Sequence, residues 1–505
     1  MEGGLANGIR NTPFLRIILP MIAGIVVARS YTLPWGVLCG SLAAAWLLAW
    51  AGYRRRESWC YVTLSVFLSA VLLAQLHRTN DPLPKGERLL LTFQVIENPS
   101  DRGRWQRTAA DVGYFRYEKD EKARWRAARA RVLLWVDTCQ RVEQGGQYAA
   151  LAYVNPIDTT RSGYGKLMRT RGFCGKVFVT PGRLLTRSPA QTATPLSWAR
   201  RVQGGAARLL GRLSLSDDAR AVVSAMAVGD KREMSPELRA AYGRVGASHL
   251  LAVSGLHVGI VFSLVNVLFY LLPAVRRGHI AKNVAAVAAI WLYAAAAGLS
   301  PSVIRAAFMF SGIQVALAAT RYRNPVNTML ATAAVMLAID PNYLFDISFQ
   351  LSFLAVLAIF VAFGPLYRRL RTRCGPLNLL ISVVIIGVVA TMGTAPLVVW
   401  QFGSFPLVGM LINPAVVLTA HLIVLLAVGW MIVPFPVLAG LFSAGLEGCA
   451  WLQNAVVKWC AELPWAAFDV RIPLWFVAGY YLVYLLFAVW WYGRDDRKFS
   501  LEYDA

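Results

Sequence analysis

The sequence predicts a polytopic α-helical membrane protein with a small β-barrel domain inserted between its third and fourth membrane segments. Three observations carry that prediction. Of 505 residues, 57% are apolar or aromatic and only 15% are charged, with a mean hydropathy of +0.49, whereas a soluble domain is about a quarter charged. Apolar stretches fall in two blocks, separated by a polar region over residues 77–247. The chain nevertheless has 51 Lys and Arg against 27 Asp and Glu, a formal net charge of +24. Such an excess suits an anionic lipid surface or an anionic cargo. Disordered, collagen-like and disulfide-scaffold classes are excluded by the same composition.

A hydrocarbon core of ~30 Å takes about 20 helical residues. Stretches of that order at 14–28, 35–53 and 59–76 make residues 1–76 an N-terminal three-helix anchor. The first follows Arg10 and Arg16 as a secretory signal would, but no A-x-A site follows it, so an uncleaved anchor is expected. In the second block, spans fall near 248–272, 283–299, 302–320, 326–340, 343–366, 377–400, 405–433, 436–461 and 473–492. Some are short or broken by Gly and Pro and read as re-entrant, so about 10–12 membrane helices are expected.

Sidedness follows from the positive-inside rule. Arg54–Arg56, Arg276-Arg277 with Lys282, Arg321 and Arg323, the cluster Arg368 to Arg373, and the tail after Arg494 alternate with loops that hold no Lys or Arg, such as Asp340-Pro341-Asn342. Both termini, including the tail 493–505, are therefore expected in the cytoplasm, and residues 77–247 outside.

The exterior segment 77–190 reads as a β-domain. Leu91–Val95, Ala130–Val136 and residues 175–180 alternate as strands, punctuated by Gly145-Gly146, Asn155-Pro156 and Ser162-Gly163. A short helix is expected over 163–171. Strands with one late helix suit a small OB-like barrel. Residues 77–200 hold 22 Lys and Arg against 11 Asp and Glu, interleaved with Trp105, Tyr114, Phe115, Tyr117, Trp125 and Trp135. Basic groups that track phosphates and aromatics that stack bases are the equipment of a single-strand binder. Arg104, Trp105, Arg124, Trp125, Arg126, Arg129 and Arg131 are the candidates. The competing reading is a solvated basic β-domain whose aromatics are core.

Cys139 and Cys174 are the two exterior cysteines, and an oxidising exterior permits a disulfide between them. No C-x-x-C, H-x-x-x-H or H-x-H-x-D pattern occurs, so neither metal nor cofactor is expected. Residues 191–247 read as amphipathic interfacial helices. Ala199, Val202, Ala206, Leu209 and Leu213 line one face and Arg201, Arg208 and Arg212 another, as in a helix on the outer leaflet. Ser235-Pro236-Glu237 supplies an N-cap, Pro at N1 and a first-turn acid for a further short helix.

Polar residues inside the apolar block are the functional candidates, because ionisable groups at membrane depth face a cavity or one another. His249, Ser254 and His257 open the fourth span. Ser300 and Pro301 open the sixth, with Arg305 opposing the helix dipole. Asp346 and Gln350 share one face at the start of the eighth. Arg305 pairing with Asp346 is one expectation. Asn413 and His421 line a path or pack; Gln314, on the face opposite Arg305, reads as a helix–helix hydrogen bond. Ser254 and His257 at i, i+3 also admit a hydrolase, but no carboxylate in that segment orients the histidine.

Three of these stretches resemble the ComEC-type competence protein family, bacterial inner-membrane channels for DNA uptake. They are Val228-Gly229-Asp230-Lys231 through Ser235-Pro236-Glu237-Leu238 to His249–His257, then Gly298–Arg305, then Asp346–Val356; a looser fourth runs from Thr394-Ala395-Pro396 to Asn413-Pro414. The resemblance implies a periplasmic oligonucleotide-binding-like domain and a channel domain over 248–492 that passes one DNA strand into the cytoplasm. It further implies single-stranded DNA and membrane lipids as partners, with a periplasmic DNA receptor, a separate nuclease, and a cytoplasmic translocase or single-strand-binding proteins. The metallo-β-lactamase-like domain of many relatives has no counterpart before Ala505, so hydrolysis is not expected. Arg161-Ser162-Gly163-Tyr164-Gly165 stands where the family has Asn-Pro-Gly-x-Phe. The leading expectation is a channel for single-stranded DNA in natural transformation. The alternative is a secondary transporter of a small anion or lipid-linked precursor.

Overall fold

The computed structural model describes residues 13–51, 58–77, 83–96, 99–118, 124–140, 142–143, 145–158, 165, 168, 172–188, 195–251, 253–268, 278–318 and 325–499. The basic loops at 54–56, 276–277 and 321–323, most of the helix expected over 163–171, and the end of the tail lie outside the described residues.

Helices α1 (Leu15–Ser30), α2 (Trp35–Ala51) and α3 (Ser58–Leu76) lead the chain, at the three expected spans. The β-domain follows with β1 (Arg88–Val95), β2 (Ser100–Arg102), β3 (Trp105–Tyr117), β4 (Arg126–Asp137), β5 (Gln147–Asn155), β6 (Phe173–Val179) and β7 (Leu184–Ser188). The pairing order β1-β3-β4-β6-β5 returns to β1 and closes a five-stranded barrel. All of its pairs are antiparallel except β4 with β6. Closure removes the sheet edges. Alternation puts Leu89, Leu91, Phe93 and Val95 inside, against Val132, Leu134, Val136, Ala150, Val154, Val177 and Val179. Phe115 belongs to this core, while Tyr114 and Trp125 are exposed. The aromatics thus divide between the two competing sequence readings.

Helices α4 (Pro195–Leu210), α5 (Asp217–Val228) and α6 (Pro236–Arg244) follow. Ser235 caps α6 as expected, accepting from the Leu238 amide at 3.2 Å. Their apolar residues join the largest core of the molecule. In α5, Ala219, Ala221–Val223 and Ala225–Val228 are all buried. The Trp430 indole donates to the Leu209 carbonyl at 2.8 Å, and Gln203 Nε2 donates to the Val228 carbonyl at 2.8 Å. The small apolar side chains of α4 (Ala199, Ala206) are therefore buried in close helix contacts within the protein.

Nine helices complete the described chain: α7 (Gly255–Leu268), α8 (Gly278–Ala296), α9 (Pro301–Ala318), α10 (Pro325–Ile339), α11 (Ile347–Leu370), α12 (Gly375–Phe402), α13 (Leu407–Ile432), α14 (Ala439–Glu462) and α15 (Leu474–Phe499). Among the described residues four stretches are long and apolar enough to cross a membrane, Trp59–Leu76, Ile347–Leu370, Gly375–Phe402 and Ala415–Ile432. Large apolar side chains point outward along most helices, Trp50 being 81% exposed and Leu441 72%. Water would not tolerate that surface, and hydrocarbon solvates it. Inside α12, Pro396 has no amide to offer the carbonyl of Met392 four residues back. The Tyr480 hydroxyl of α15 donates to that carbonyl at 2.9 Å, and the Tyr481 hydroxyl to the Gly393 carbonyl at 3.0 Å. The backbone group freed by proline is thus satisfied by a neighbouring helix, as a dry interior demands.

Candidate functional site

Three helix starts meet where the sequence concentrates its polar residues. Helix α7 begins after a non-helical stretch that holds Val253 and Ser254. Between α8 and α9 the chain turns through Gly298 at φ +74° and Leu299 at φ +49°. The positive φ of Gly298 favours glycine, and a Cβ there would fall 2.6 Å from the Gln203 side chain and displace it. A leucine in the left-handed region costs of order 1–3 kcal/mol and marks a stretch held by its surroundings. Helix α11 begins with Asp346, whose carboxylate accepts from the Ser348 amide at 2.8 Å and the Phe349 amide at 3.2 Å. That is an ordinary N-cap.

Arg305 in α9 is 3% exposed, and its Nη2 donates to Ser348 Oγ at 3.2 Å, which ties α9 to the start of α11. Asp346 stands within electrostatic reach of the same guanidinium. On the other side, Gly255 at the start of α7 packs against Ala306. His257 is 0% exposed and its Nδ1 accepts from the Ser254 amide at 3.3 Å, which leaves the proton on Nε2. Five buried polar atoms here have no hydrogen-bond partner among the described residues: Arg305 Nε and Nη1, His257 Nε2, Ser254 Oγ and Ser300 Oγ. Three are obligate donors and two are hydroxyls able to donate. An orphaned buried donor costs about 1–3 kcal/mol, more when charged. The positive ends of three helix dipoles add to the same field. Each of these atoms lacks a hydrogen-bond partner among the described residues, and the oxygens of an anion are the kind of acceptor that the cluster's donors want.

Of the remaining candidates, His249 and His421 stand within electrostatic reach of His257. His249 lies in a short 3₁₀ turn with its ring exposed, and its Nδ1 donates to the Gly246 carbonyl at 2.9 Å. Gln350 donates to the Leu344 carbonyl at 2.8 Å and so closes the turn before α11. Asn413 is half-buried on α13, two turns before His421, whose Nδ1 donates to the Val417 carbonyl at 2.8 Å. Gln314 binds Asn283 at 2.6 Å and Asn266 at 3.4 Å, the helix–helix role read for it. The hydroxyl of Ser300, expected to cap α9, has no partner among the described residues and leaves that helix without the cap.

In the barrel the proposed cystine is corrected. Cys139 and Cys174 are both free thiols, one exposed and one buried. The parallel register pairs Arg131 with Phe173 and Val136 with Val179, so Cys174 stands at the level of Val132 while Cys139 lies beyond the far end of β4. Seven residues at ~3.3 Å put them about 20 Å apart, well beyond disulfide reach. Cys139 instead gives its amide to Asp137 at 3.0 Å. That bond, with the Arg104 side chain at 2.9 Å, holds the Asp137 carboxyl below the usual carboxylate range, and Asp137 in turn pushes the Cys139 thiol up.

The basic candidates lie at both ends of the β3–β4 pair. Arg104 sits over Trp105 at 5.9 Å, Arg126 over Tyr117 at 5.6 Å, and Trp125 faces Arg116 at 5.6 Å. Arg131 is bound to Asp111 at 2.9 Å, Arg124 is exposed beside β4, and Arg129 lies within that strand. Sequence reasoning passed over Ser348, the partner of Arg305. Its signal was the Asp346-x-Ser348 spacing at a helix start facing a lone intramembrane cation.

The competence protein family profile matches residues 226–494, more than half of the chain. "ComE operon protein 3" of Bacillus subtilis (strain 168) is 31% identical over 202 residues, 39% of this chain. The match spans 24% of that relative's own length. No solved structure matches. The matched stretch contains all three converging helix starts, and the chain belongs to the competence protein family.

Proposed function

We propose that this chain conducts a single strand of DNA across the bacterial inner membrane during natural transformation. The observation that carries the reading is the set of buried polar groups on Arg305, His257, Ser254 and Ser300, without partners among the described residues, where α7, α9 and α11 begin. A DNA strand brings one phosphate per nucleotide, and phosphate oxygens are the acceptors this cluster lacks. Family membership and the apolar helices support a membrane protein of DNA uptake. In this reading both termini are cytoplasmic and the barrel is periplasmic. There its basic surface gathers DNA by an electrostatic term that weakens steeply with salt. A periplasmic receptor, a separate nuclease and a cytoplasmic translocase or single-strand-binding proteins act before and after it.

The test is uptake of labelled DNA into the cytoplasm of a transformable host, with and without the chain. Loss of uptake on deletion, restored by the wild-type chain, is expected. Undiminished cytoplasmic DNA in the deleted strain would remove the reading. Proteoliposomes that pass inorganic phosphate but no oligonucleotide would replace it with transport of a small anion.

A further inference from the structure

The loop between α5 and α6 lies against the backbone that leads into the donor cluster. Helix α5 ends at Gly229, which takes φ +74° as its C-cap. A Cβ on Gly229 would fall 3.1 Å from the Ala297 carbonyl oxygen and 3.6 Å from the Val253 side chain. The loop therefore touches the chain one residue before Ser254 and three before Ser300. Gln203 binds the same place together. Its Nε2 donates to the Val228 carbonyl at 2.8 Å, and its side chain fills the space beside Gly298. Lys231 follows two residues after Gly229, so their Cα atoms are within about 8 Å of each other.

The charges of this loop are unevenly matched. Both carboxylate oxygens of Asp230 are engaged by Arg232, which donates from Nε at 2.9 and 3.1 Å, from Nη2 at 2.6 Å and from its amide at 3.1 Å. Glu233 acts on the same guanidinium. Lys231 is half-buried, and among the described residues its ammonium has no carboxylate partner. The charge that acts on it is another cation, Arg239, whose Nη2 donates to the Lys231 carbonyl at 2.9 Å. Burial first, and Arg239 second, push the Lys231 ammonium below the ordinary lysine range. Arg239 stands in the first turn of α6, where the positive end of the helix dipole disfavours a cation. Two neighbouring cations at a helix start, with the nearest carboxylate turned away, repel each other until an anion lies between them. A phosphodiester, with one negative charge on two free oxygens, has the charge and the acceptors they lack.

We infer that Lys231 and Arg239 hold a backbone phosphate of the incoming strand beside the turn between α8 and α9, one step before it meets the Arg305 cluster. The inference rests on the strand-uptake reading and adds to it a contact outside the membrane-spanning helices. The contact is between charge and phosphate, so it is blind to base sequence.

The experiment acylates the lysines of the full chain, held in nanodiscs of uncharged lipid, with an N-hydroxysuccinimide ester and reads each site by peptide mass spectrometry. Oligodeoxythymidylate at ten times its dissociation constant is expected to slow acylation of Lys231 about ten-fold. Protection should fade as salt rises. Lys458, an exposed lysine paired with Asp218 at 2.7 Å, is expected to react at an unchanged rate. In a transformable host, Lys231→Gln and Arg239→Gln are each expected to lower uptake of labelled DNA roughly ten-fold. Lys231→Arg should retain uptake and Lys458→Gln should leave it unchanged, with membrane abundance and unfolding temperature of every variant compared with the wild type. Unprotected Lys231, equal protection of Lys458, wild-type uptake in Lys231→Gln, or protection by phosphatidylglycerol and not by the oligonucleotide would each overturn the inference. Uptake that depends on the chain while Lys231 stays unprotected sinks the inference alone. Protection of Lys231 in a chain whose deletion leaves uptake intact sinks the channel reading alone.

Discussion

Two groups of buried polar residues lie among the packed helices, and they differ in how completely they are satisfied. In the first, the Tyr242 hydroxyl donates to Asn454 at 2.9 Å and accepts from Gln453 at 3.0 Å, and Gln453 accepts from Thr419 at 3.0 Å. That network links α6, α14 and α13 with its polar atoms matched. In the second, Arg305, His257, Ser254 and Ser300 leave five polar atoms unmatched among the described residues. Both groups are buried, and both join elements far apart in sequence. The matched one has the form of a structural brace, because a fully satisfied network fixes one packing. The unmatched one has the form of a site, because its orphaned donors weaken the fold unless something else supplies the acceptors.

Mutations can break this contrast. The largest effect is expected for Arg305→Ala. Losing a charged hydrogen-bonding group of about 1.5–3 kcal/mol should lower DNA uptake roughly ten- to a hundred-fold. Membrane abundance and melting temperature should stay within error of the wild type, since the substitution also removes two orphaned donors. A parallel fall in melting temperature would make Arg305 a brace like Tyr242. Next, Tyr242→Phe should lower stability by about 1–3 kcal/mol, read as melting temperature in detergent, because Asn454 and Gln453 are left half-paired. Uptake per folded molecule should hold, and a selective loss of uptake would blur the contrast.

A smaller effect is expected for Ser254→Ala. The hydroxyl has no partner among the described residues, so stability should change by less than about 0.5 kcal/mol while uptake falls several-fold. The smallest concerns the barrel. Asp137 has a lowered pKa, so its bonds to Cys139 and Arg104 stabilise the barrel above the ordinary carboxylate range, and that stability is lost as pH falls through the lowered value. Arg104→Ala should therefore destabilise the barrel at neutral pH and progressively less in acid. A penalty independent of pH would show that Arg104 acts through packing on Trp105.

The twelve apolar segments were legible to within about seven residues at their ends, because hydrophobicity is additive along the chain. Barrel strands were legible where contrast is strong, as in Leu91–Val95, and not in β5, whose Gln147-Tyr148-Ala149-Ala150-Leu151-Ala152 alternates in burial but little in hydropathy. The cystine failed because exposure and compartment say nothing about register, and the parallel β4–β6 pairing separates the two thiols. Arg305 and His257 stood out by charge in an apolar context. Gln350 stood out equally, yet its amide serves a backbone carbonyl.

Composition and periodicity are local properties, and by themselves they determined a basic membrane protein with an inserted β-domain and a short roster of intramembrane polar residues. Whether a donor has found its acceptor depends on partners remote in sequence, such as Arg305 and Ser348 or Tyr242 and Asn454. Only the tertiary structure decided which polar residues brace the fold and which are left open to a ligand, because hydrogen bonding is settled between side chains in space.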